Sequence, residues 1–210
     1  MKKSNLIILF IAAITFSCSA KNPTENKITK DTESNYETIV FGAGCFWCVE
    51  AVFQELKGVY NVESGYSNGF VKNPSYKQVC SGQTGYAEVA KITYNPDEIS
   101  FETLLAVFFQ THDPTTKNRQ GADVGTQYRS GIFYNTISQK QLAEEIIIKL
   151  NQEKAYPTPI VTEVSELKDY YKAEDYHQDY YSNNPNQGYC SFVIQPKVDK
   201  FKKVFKEHLK

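Results

Sequence analysis

The chain of 210 residues carries little net charge and few histidines. Its 23 basic and 24 acidic side chains leave a formal charge of −1, so no basic surface for nucleic acid is indicated. The three histidines are isolated, and no second C-x-x-C pair accompanies Cys45 and Cys48. The ligand spacing of a zinc site is therefore missing, and we expect neither a metal nor a bound cofactor.

Long apolar runs are missing as well. The run at residues 6–16 is too short to cross a bilayer, but after two lysines it is typical of a signal peptide. It ends at "TFSCSA", which resembles a bacterial lipoprotein signal with Cys18 as the lipidated residue; cleavage near Ala20 is the alternative. We expect a signal peptide at 1–17, a flexible polar tether at 18–36, and an exported, lipid-anchored envelope protein facing the periplasm or the cell surface.

Cysteine is too scarce for a disulfide scaffold. Beyond Cys18 the chain holds Cys45, Cys48, Cys80 and Cys190, and 41% of its residues are hydrophobic. A chain of this length and composition buries a substantial core without covalent staples. A catalytic or redox role is therefore open for some of these thiols.

What the sequence does contain is a mixture of strand and helix patterns. "ETIVFGAG" predicts a short buried strand, and the apolar spacing from Cys45 predicts an amphipathic helix that ends at Gly58. Strands are also predicted at "VYNVESGY", "YAEVAKITY", "IFYN" and "PIVTEVSEL", and helices at "SFETLLAVFFQTH", "SQKQLAEEIIIKLNQEK", "DYYKAEDYHQDYYSNN" and "KVDKFKKVFKEHLK". This mixed order, without an internal repeat, indicates one α+β or α/β domain over residues 37–210, of which we expect the α+β class.

The junction between the first strand and helix is suited to thiol chemistry. Cys45 lies at the first turn of the predicted helix, where free backbone N–H groups and the helix dipole lower the pKa of a thiol. Gly42 and Gly44 allow a tight bend before it. Cys48 follows one turn later on the same face, within reach of a disulfide. The pair is a redox arrangement.

These residues carry a resemblance to a known family. "GCFWCVEAVFQELKGV" resembles the signature of A-type peptide methionine sulfoxide reductases, and "SGYSNG", "PSYKQVCSGQTGYAEV", "FFQTHDPTTKNRQGADVGTQYRSGIFY" and "YHQDYYSNNPNQGYC" match in order. The resemblance implies a two-layer α/β sandwich with a mixed sheet and a ferredoxin-like core. It implies reduction of the S epimer of methionine sulfoxide, free or in oxidised proteins, with a thioredoxin-type dithiol as reductant. We expect a monomer.

The chemistry assigns a first set of roles. Attack by Cys45 on the sulfoxide sulfur transfers the oxygen and leaves a sulfenic acid, which a second thiol condenses to a disulfide. The alternation of "YAEVAKITY" places Glu88 beside apolar neighbours, where its pKa is raised; the resemblance makes it the acid. Phe46 and Trp47 suit an apolar cage for the S-methyl group, although plain core packing is equally open for Phe46.

The roles of three more residues rest on the resemblance alone. Tyr76 and Tyr128 match the tyrosines whose hydroxyls donate to the sulfoxide oxygen, and Asp123 matches the acid that orders the site. For the resolving thiol, proximity favours Cys48, whereas "NQGYC" favours Cys190.

Two other function classes compete with the reductase. An exported dithiol–disulfide oxidoreductase would use Cys45 and Cys48 on protein disulfides, without needing the acid or the tyrosines. A binding module with structural cysteines would explain neither the thiol at the strand–helix junction nor the long loop "DPTTKNRQGADVGTQYRSG".

Overall fold

The computed structural model describes residues 35–210, so the expected signal peptide, Cys18 and nearly all of the tether lie outside it. Its strands are β1 Glu37–Ala43, β2 Val59–Ser67, β3 Ala87–Tyr94, β4 Arg119–Gln120, β5 Asp123–Val124, β6 Ser130–Tyr134, β7 Glu163–Glu166 and β8 Tyr170–Lys172. The α-helices are α1 Phe46–Phe53, α2 Tyr76–Cys80, α3 Phe101–Thr111, α4 Ile137–Gln152, α5 Tyr180–Asn183 and α6 Gln195–Val204. Short 3-10 turns lie at Thr126–Tyr128, Asp175–His177 and Lys206–His208, and a π-helix at Cys190–Ile194.

The main sheet has the order β7-β6-β1-β3-β2-β8. β6 and β7 pair in parallel, and the other neighbours are antiparallel. Its four central strands, with α1 after β1 and α3 after β3, form the β-α-β-β-α-β pattern with strand order 4-1-3-2. The expected α+β class, mixed sheet and ferredoxin-like core are confirmed.

The two faces of β1 contribute to two different apolar clusters, one on each side of the sheet. Phe41 points to the helical side, where its ring lies 4.7 Å from that of Phe108 in α3 and 5.5 Å from that of Phe53 in α1. Val40 points to the opposite side and packs in a smaller cluster with Phe133. Alternate residues of one buried strand thus serve two apolar clusters, as the unbroken run of strand-forming residues predicts.

Capping side chains mark the starts of two helices. Ser100 caps α3, because its side chain accepts a hydrogen bond from the Thr103 amide. Thr136 caps α4 in the same way. The predicted strand around residues 159–167 is shorter, since only Glu163–Glu166 pairs with β6.

Two predictions were wrong. Helix α1 ends at Phe53 rather than at Gly58, which instead adopts a positive φ of 83° at the entry to β2. The segment "DYYKAEDYHQDYYSNN" is not one helix: it forms β8, a 3-10 turn and the short α5. Tyr170–Lys172 pairs with the edge of β2, and this non-local pairing prevails over the local helical pattern.

The C-terminus is tied to the end of α1. Leu209 forms a bridge with Leu56, and the Lys210 amide donates to the Glu55 carbonyl at 3.0 Å. Lys202 of α6 pairs with the Glu55 carboxylate at 2.9 Å. The chain that follows Cys190 is therefore helical and anchored. Within residues 35–210, no helix has the length and apolar character needed to cross a bilayer.

Candidate active site

The site is built on the junction between β1 and α1. Gly44 has φ of +90°, and a Cβ there would come within 2.6 Å of the Gln120 side chain, so the bend requires glycine. Cys45 caps α1 and precedes its first residue, Phe46. The backbone thus turns from the sheet into the helix at the thiol, as the sequence predicts.

Glu88 lies beside this helix end. Its Oε2 accepts the Phe46 backbone N–H at 3.2 Å, and its Oε1 is buried with no hydrogen-bond partner among the described residues. Burial raises the pKa of Glu88 to about 8, and the Phe46 amide only partly opposes this rise. The carboxyl group therefore carries a proton near neutral pH and offers it from an otherwise unpartnered oxygen.

Cys45 itself does not have the low pKa that its helix position predicts. It is only 8% exposed, and burial raises its pKa well above that of a free thiol. The hydrogen bond with Cys48 and the charge of Glu88 raise it further, while the Trp47 amide opposes them weakly. The expected lowering of the Cys45 pKa was wrong, because the loss of hydration of the thiolate on burial outweighs its stabilisation by the helix dipole.

Cys48 completes the thiol pair. A hydrogen bond from Cys45 lowers the pKa of Cys48 to about 7 despite burial, and the charge of Lys197 adds to this lowering. Each thiol therefore changes the pKa of the other, and the two titrate as a pair. Within residues 35–210, all four cysteines are free thiols.

Two tyrosines face the acid. Burial raises the pKa of Tyr76, and contact with Cys80 and the charge of Glu88 raise it further. Burial and then Glu88 and Cys45 raise the pKa of Tyr128. Both hydroxyls thus keep their protons near neutral pH and remain hydrogen-bond donors.

The two aromatic residues after Cys45 are held differently. Phe46 is buried, and its ring stacks with that of Tyr76 at 6.4 Å between centroids and lies 4.9 Å from that of His177. The Trp47 indole N–H donates to Nδ1 of His177 at 3.2 Å, and its ring stacks on Tyr180 with centroids 3.6 Å apart. Both residues therefore belong to one aromatic cluster against the site, and core packing and cage are compatible for Phe46.

Asp123 is hydrogen-bonded to Tyr189, a residue that the sequence did not single out. Its Oδ2 accepts the Tyr189 hydroxyl at 2.7 Å, and the same hydroxyl lies 4.0 Å from the Cys48 sulfur. The charge of Asp123 also raises the pKa of Glu88. The only signal for Tyr189 was its place next to Cys190 in "NQGYC".

The second candidate resolving thiol, Cys190, is fully buried at the start of the π-helix. Burial raises its pKa, and the next contribution comes from Cys48. Cys190 lies in a segment that continues directly into α6.

The remaining histidine of the matched motifs, His112, is structural. Its ring nitrogens contact the Phe108 carbonyl at 2.6 Å and the Ser130 hydroxyl at 2.7 Å, and burial lowers its pKa to about 4. Among the described residues, no group of three or more His, Cys, Asp or Glu side chains is placed to hold a metal ion.

Comparison with known proteins places this chain in a family. Residues 37–209 match the family model described as peptide methionine sulfoxide reductase. The chain is 54% identical over 173 residues to the peptide methionine sulfoxide reductase MsrA of Trichodesmium erythraeum, covering 82% of this chain and 98% of that protein. With the MsrA of Deinococcus radiodurans it shares 50% over 195 residues, 90% of this chain and 95% of the relative.

Solved structures agree. Reduced Mxr1 from Saccharomyces cerevisiae superimposes with a TM-score of 0.68 at 35% identity, covering 77% of this chain and 92% of that one. Methionine sulfoxide reductase A of Corynebacterium diphtheriae superimposes with a TM-score of 0.66 at 35% identity, covering 74% and 78%.

Proposed function

The chain belongs to the peptide methionine sulfoxide reductase family, and we propose that the buried pair of Cys45 and Glu88 carries out its reaction. The enzyme is an oxidoreductase that reduces methionine sulfoxide. The observation that supports these roles is the protonated Glu88, whose free Oε1 lies at the helix end that holds the Cys45 thiol.

The first step joins a thiol and an acid. The Cys45 sulfur attacks the sulfoxide sulfur while Glu88 gives its proton to the sulfoxide oxygen and takes up the proton that the Cys45 thiol releases. The hydroxyls of Tyr76 and Tyr128 donate hydrogen bonds to that oxygen as its negative charge develops. The S–O bond of the substrate breaks, the oxygen remains on Cys45 as a sulfenic acid, and methionine leaves. The aromatic cluster around Phe46 and Trp47 receives the S-methyl group and selects the S epimer.

The second step removes the oxygen. The Cys48 thiol attacks the Cys45 sulfenic acid, a disulfide forms, and water leaves. Cys48 is favoured as first partner because it lies one helical turn from Cys45, where its backbone N–H donates to the Cys45 carbonyl at 3.0 Å, whereas Cys190 is held in the π-helix. Cys190 is then placed to exchange with Cys48, and a thioredoxin-type dithiol returns both thiols to the reduced state.

A dithiol–disulfide oxidoreductase is less well supported. Cys45 is 8% exposed and Cys48 2% exposed, so neither sulfur presents itself to a disulfide on another protein in the resting state.

The N-terminal sequence bears on where in the cell the protein is located. We propose that residues 1–17 are a signal peptide, that Cys18 is lipidated, and that a polar tether holds the catalytic domain as a monomer at the cell envelope. Labelling with a radioactive fatty acid in the native host would test this, because Cys18→Ala should lose the label and release the protein.

One assay tests the reductase roles directly. Purified protein with dithiothreitol should reduce the S epimer of a dabsyl-methionine sulfoxide and leave the R epimer unchanged. Equal turnover of both epimers would contradict the proposed selection, and failure of the Glu88→Gln variant to slow the reaction would contradict the assignment of the acid.

A further inference from the structure

Glu174 lies just after the edge strand β8 and is not among the residues assigned above. Its two carboxylate oxygens have different partners. Oε1 accepts the backbone N–H of Tyr76 at 2.9 Å, and Oε2 accepts the hydroxyl of Tyr66 at 2.7 Å. One carboxylate therefore joins the end of the sheet to the start of α2 across almost a hundred residues of sequence.

The carboxylate is charged at neutral pH. Partial burial would raise the pKa of Glu174, but hydrogen bonds from the Tyr76 amide and the Tyr66 hydroxyl outweigh it and lower the pKa. Hydrogen bonds to an ionised acceptor are shorter and stronger than neutral ones. His177 Nε2 is 4.0 Å from Oε2, too far for a hydrogen bond.

The two partners of Glu174 belong to different elements. Tyr66 is the direct cross-strand neighbour of Glu88 in the pairing of β2 with β3, so their side chains share one face of the sheet. Tyr76 is the first residue of α2, a helix of only five residues inside the loop between those strands. Such a short helix has little stability of its own, so its position depends on the contacts at its ends.

We propose that Glu174 is a positioning residue for the reductase reaction: it fixes the first residue of α2 so that the Tyr76 hydroxyl meets the sulfoxide oxygen. The inference rests on the donor role proposed for Tyr76. It explains why a carboxylate outside the reacting pair of Cys45 and Glu88 accepts the backbone N–H of Tyr76, a residue of the site.

A double-mutant cycle on the full chain tests the proposal. Single-turnover reduction of methionine sulfoxide would be measured for wild type, Glu174→Ala, Tyr76→Phe and the double variant. Glu174→Ala should slow the step about 10²-fold, the scale expected when a reacting group is misplaced by about 1 Å. In the Tyr76→Phe background the same change should cost no more than about threefold, because the hydroxyl it positions is gone.

Two further variants separate positioning from general stability. Glu174→Gln should stay within about fivefold of wild type, because its amide oxygen accepts the Tyr76 N–H and its amide N–H donates to the Tyr66 oxygen. Glu63→Ala removes another partly buried carboxylate from the same edge of the sheet, where it pairs with Lys91 and Lys172. That control should lower thermal stability and leave the single-turnover rate unchanged.

The outcomes are distinct. If Tyr76→Phe alone keeps the wild-type rate, the donor role of Tyr76 is wrong and the positioning role with it. If Tyr76→Phe is slow but the two losses multiply, only the positioning role is wrong. An unchanged rate in Glu174→Ala also overturns it. Should Glu174→Ala fail to fold, Glu174→Asp decides: its shorter side chain cannot hold both partners, and the same lack of additivity with Tyr76→Phe is expected.

Discussion

Replacing Glu88 by glutamine should make the protein more stable and the enzyme slower. The side chain is 1% exposed, and its pKa of about 8 in the folded protein compares with an ordinary value of 4.5. Between these values the folded chain holds a proton that the unfolded chain releases. Stability from this group is thus fully present below pH 4.5 and is lost as the pH rises to 8.

The size of this change in stability follows from the pKa shift of Glu88. Each pKa unit corresponds to about 1.4 kcal/mol, so the wild type loses about 1 kcal/mol by pH 5 and about 3 kcal/mol by pH 7. Glutamine cannot ionise, and its amide oxygen can still accept the Phe46 N–H that Glu88 Oε2 now accepts at 3.2 Å. Glu88→Gln should therefore gain stability over the wild type by these amounts.

Urea unfolding at pH 5, 7 and 8.5 measures the gain in stability of Glu88→Gln, and single-turnover kinetics measure its loss of rate. The reductase step should slow by about 10²–10⁴-fold, the usual contribution of a general acid. Glu63→Gln is a control of opposite sign, because hydrogen bonds from Lys91 and Tyr170 and the charges of Lys91 and Lys172 outweigh burial and lower the pKa of Glu63. Its loss of stability should be nearly constant from pH 8.5 to pH 5 and should shrink only as the pH falls below 4.5. A stability difference for Glu88→Gln that does not change with pH would refute the reasoning.

Three other predictions concern the thiols. Cys45→Ser should abolish turnover, because a hydroxyl offers almost no anion at neutral pH; more than trace activity would remove Cys45 as the nucleophile. The pH dependence of alkylation at Cys45, followed by mass spectrometry, should give a pKa above the ~8.5 of free cysteine and a lower one in Glu88→Gln, where the repelling charge is absent. Cys48→Ser should reduce one equivalent of substrate, fail to cycle with thioredoxin, and keep a sulfenic acid that dimedone traps, while Cys190→Ser completes the first disulfide. Non-reducing peptide mapping that finds Cys45 joined first to Cys190 would reverse this order.

The sequence predicts the parts of the fold that depend on neighbours along the chain. The strand before Cys45, the bend at Gly44 and the cap at Ser100 each follow from a few adjacent residues, and each is present. The segment at residues 169–184 could not be predicted in this way. Its conformation is decided by pairing with β2, about a hundred residues earlier in the chain.

The same distinction between local and non-local contacts applies to the active site. The raised pKa of Glu88 follows from strand alternation, which puts the carboxyl among apolar neighbours. The pKa of Cys45 was predicted in the wrong direction, because its burial comes from packing that the helix end alone does not reveal. The contact between Asp123 and Tyr189 joins residues 66 positions apart, and no local pattern marks it.

The raised pKa of Cys45 has a consequence for survival among oxidants. Hydrogen peroxide oxidises thiolates far faster than thiols, and it needs access to the sulfur. A nucleophile that is buried and protonated at rest is a poor target for peroxide, even where peroxide is abundant enough to oxidise methionine. Small oxidants in solution have no side chain that fits the site and present no sulfoxide oxygen to Glu88. They would therefore oxidise the Cys45 sulfur slowly. The closed resting state thus lets a repair enzyme remain active under the stress that creates its substrate.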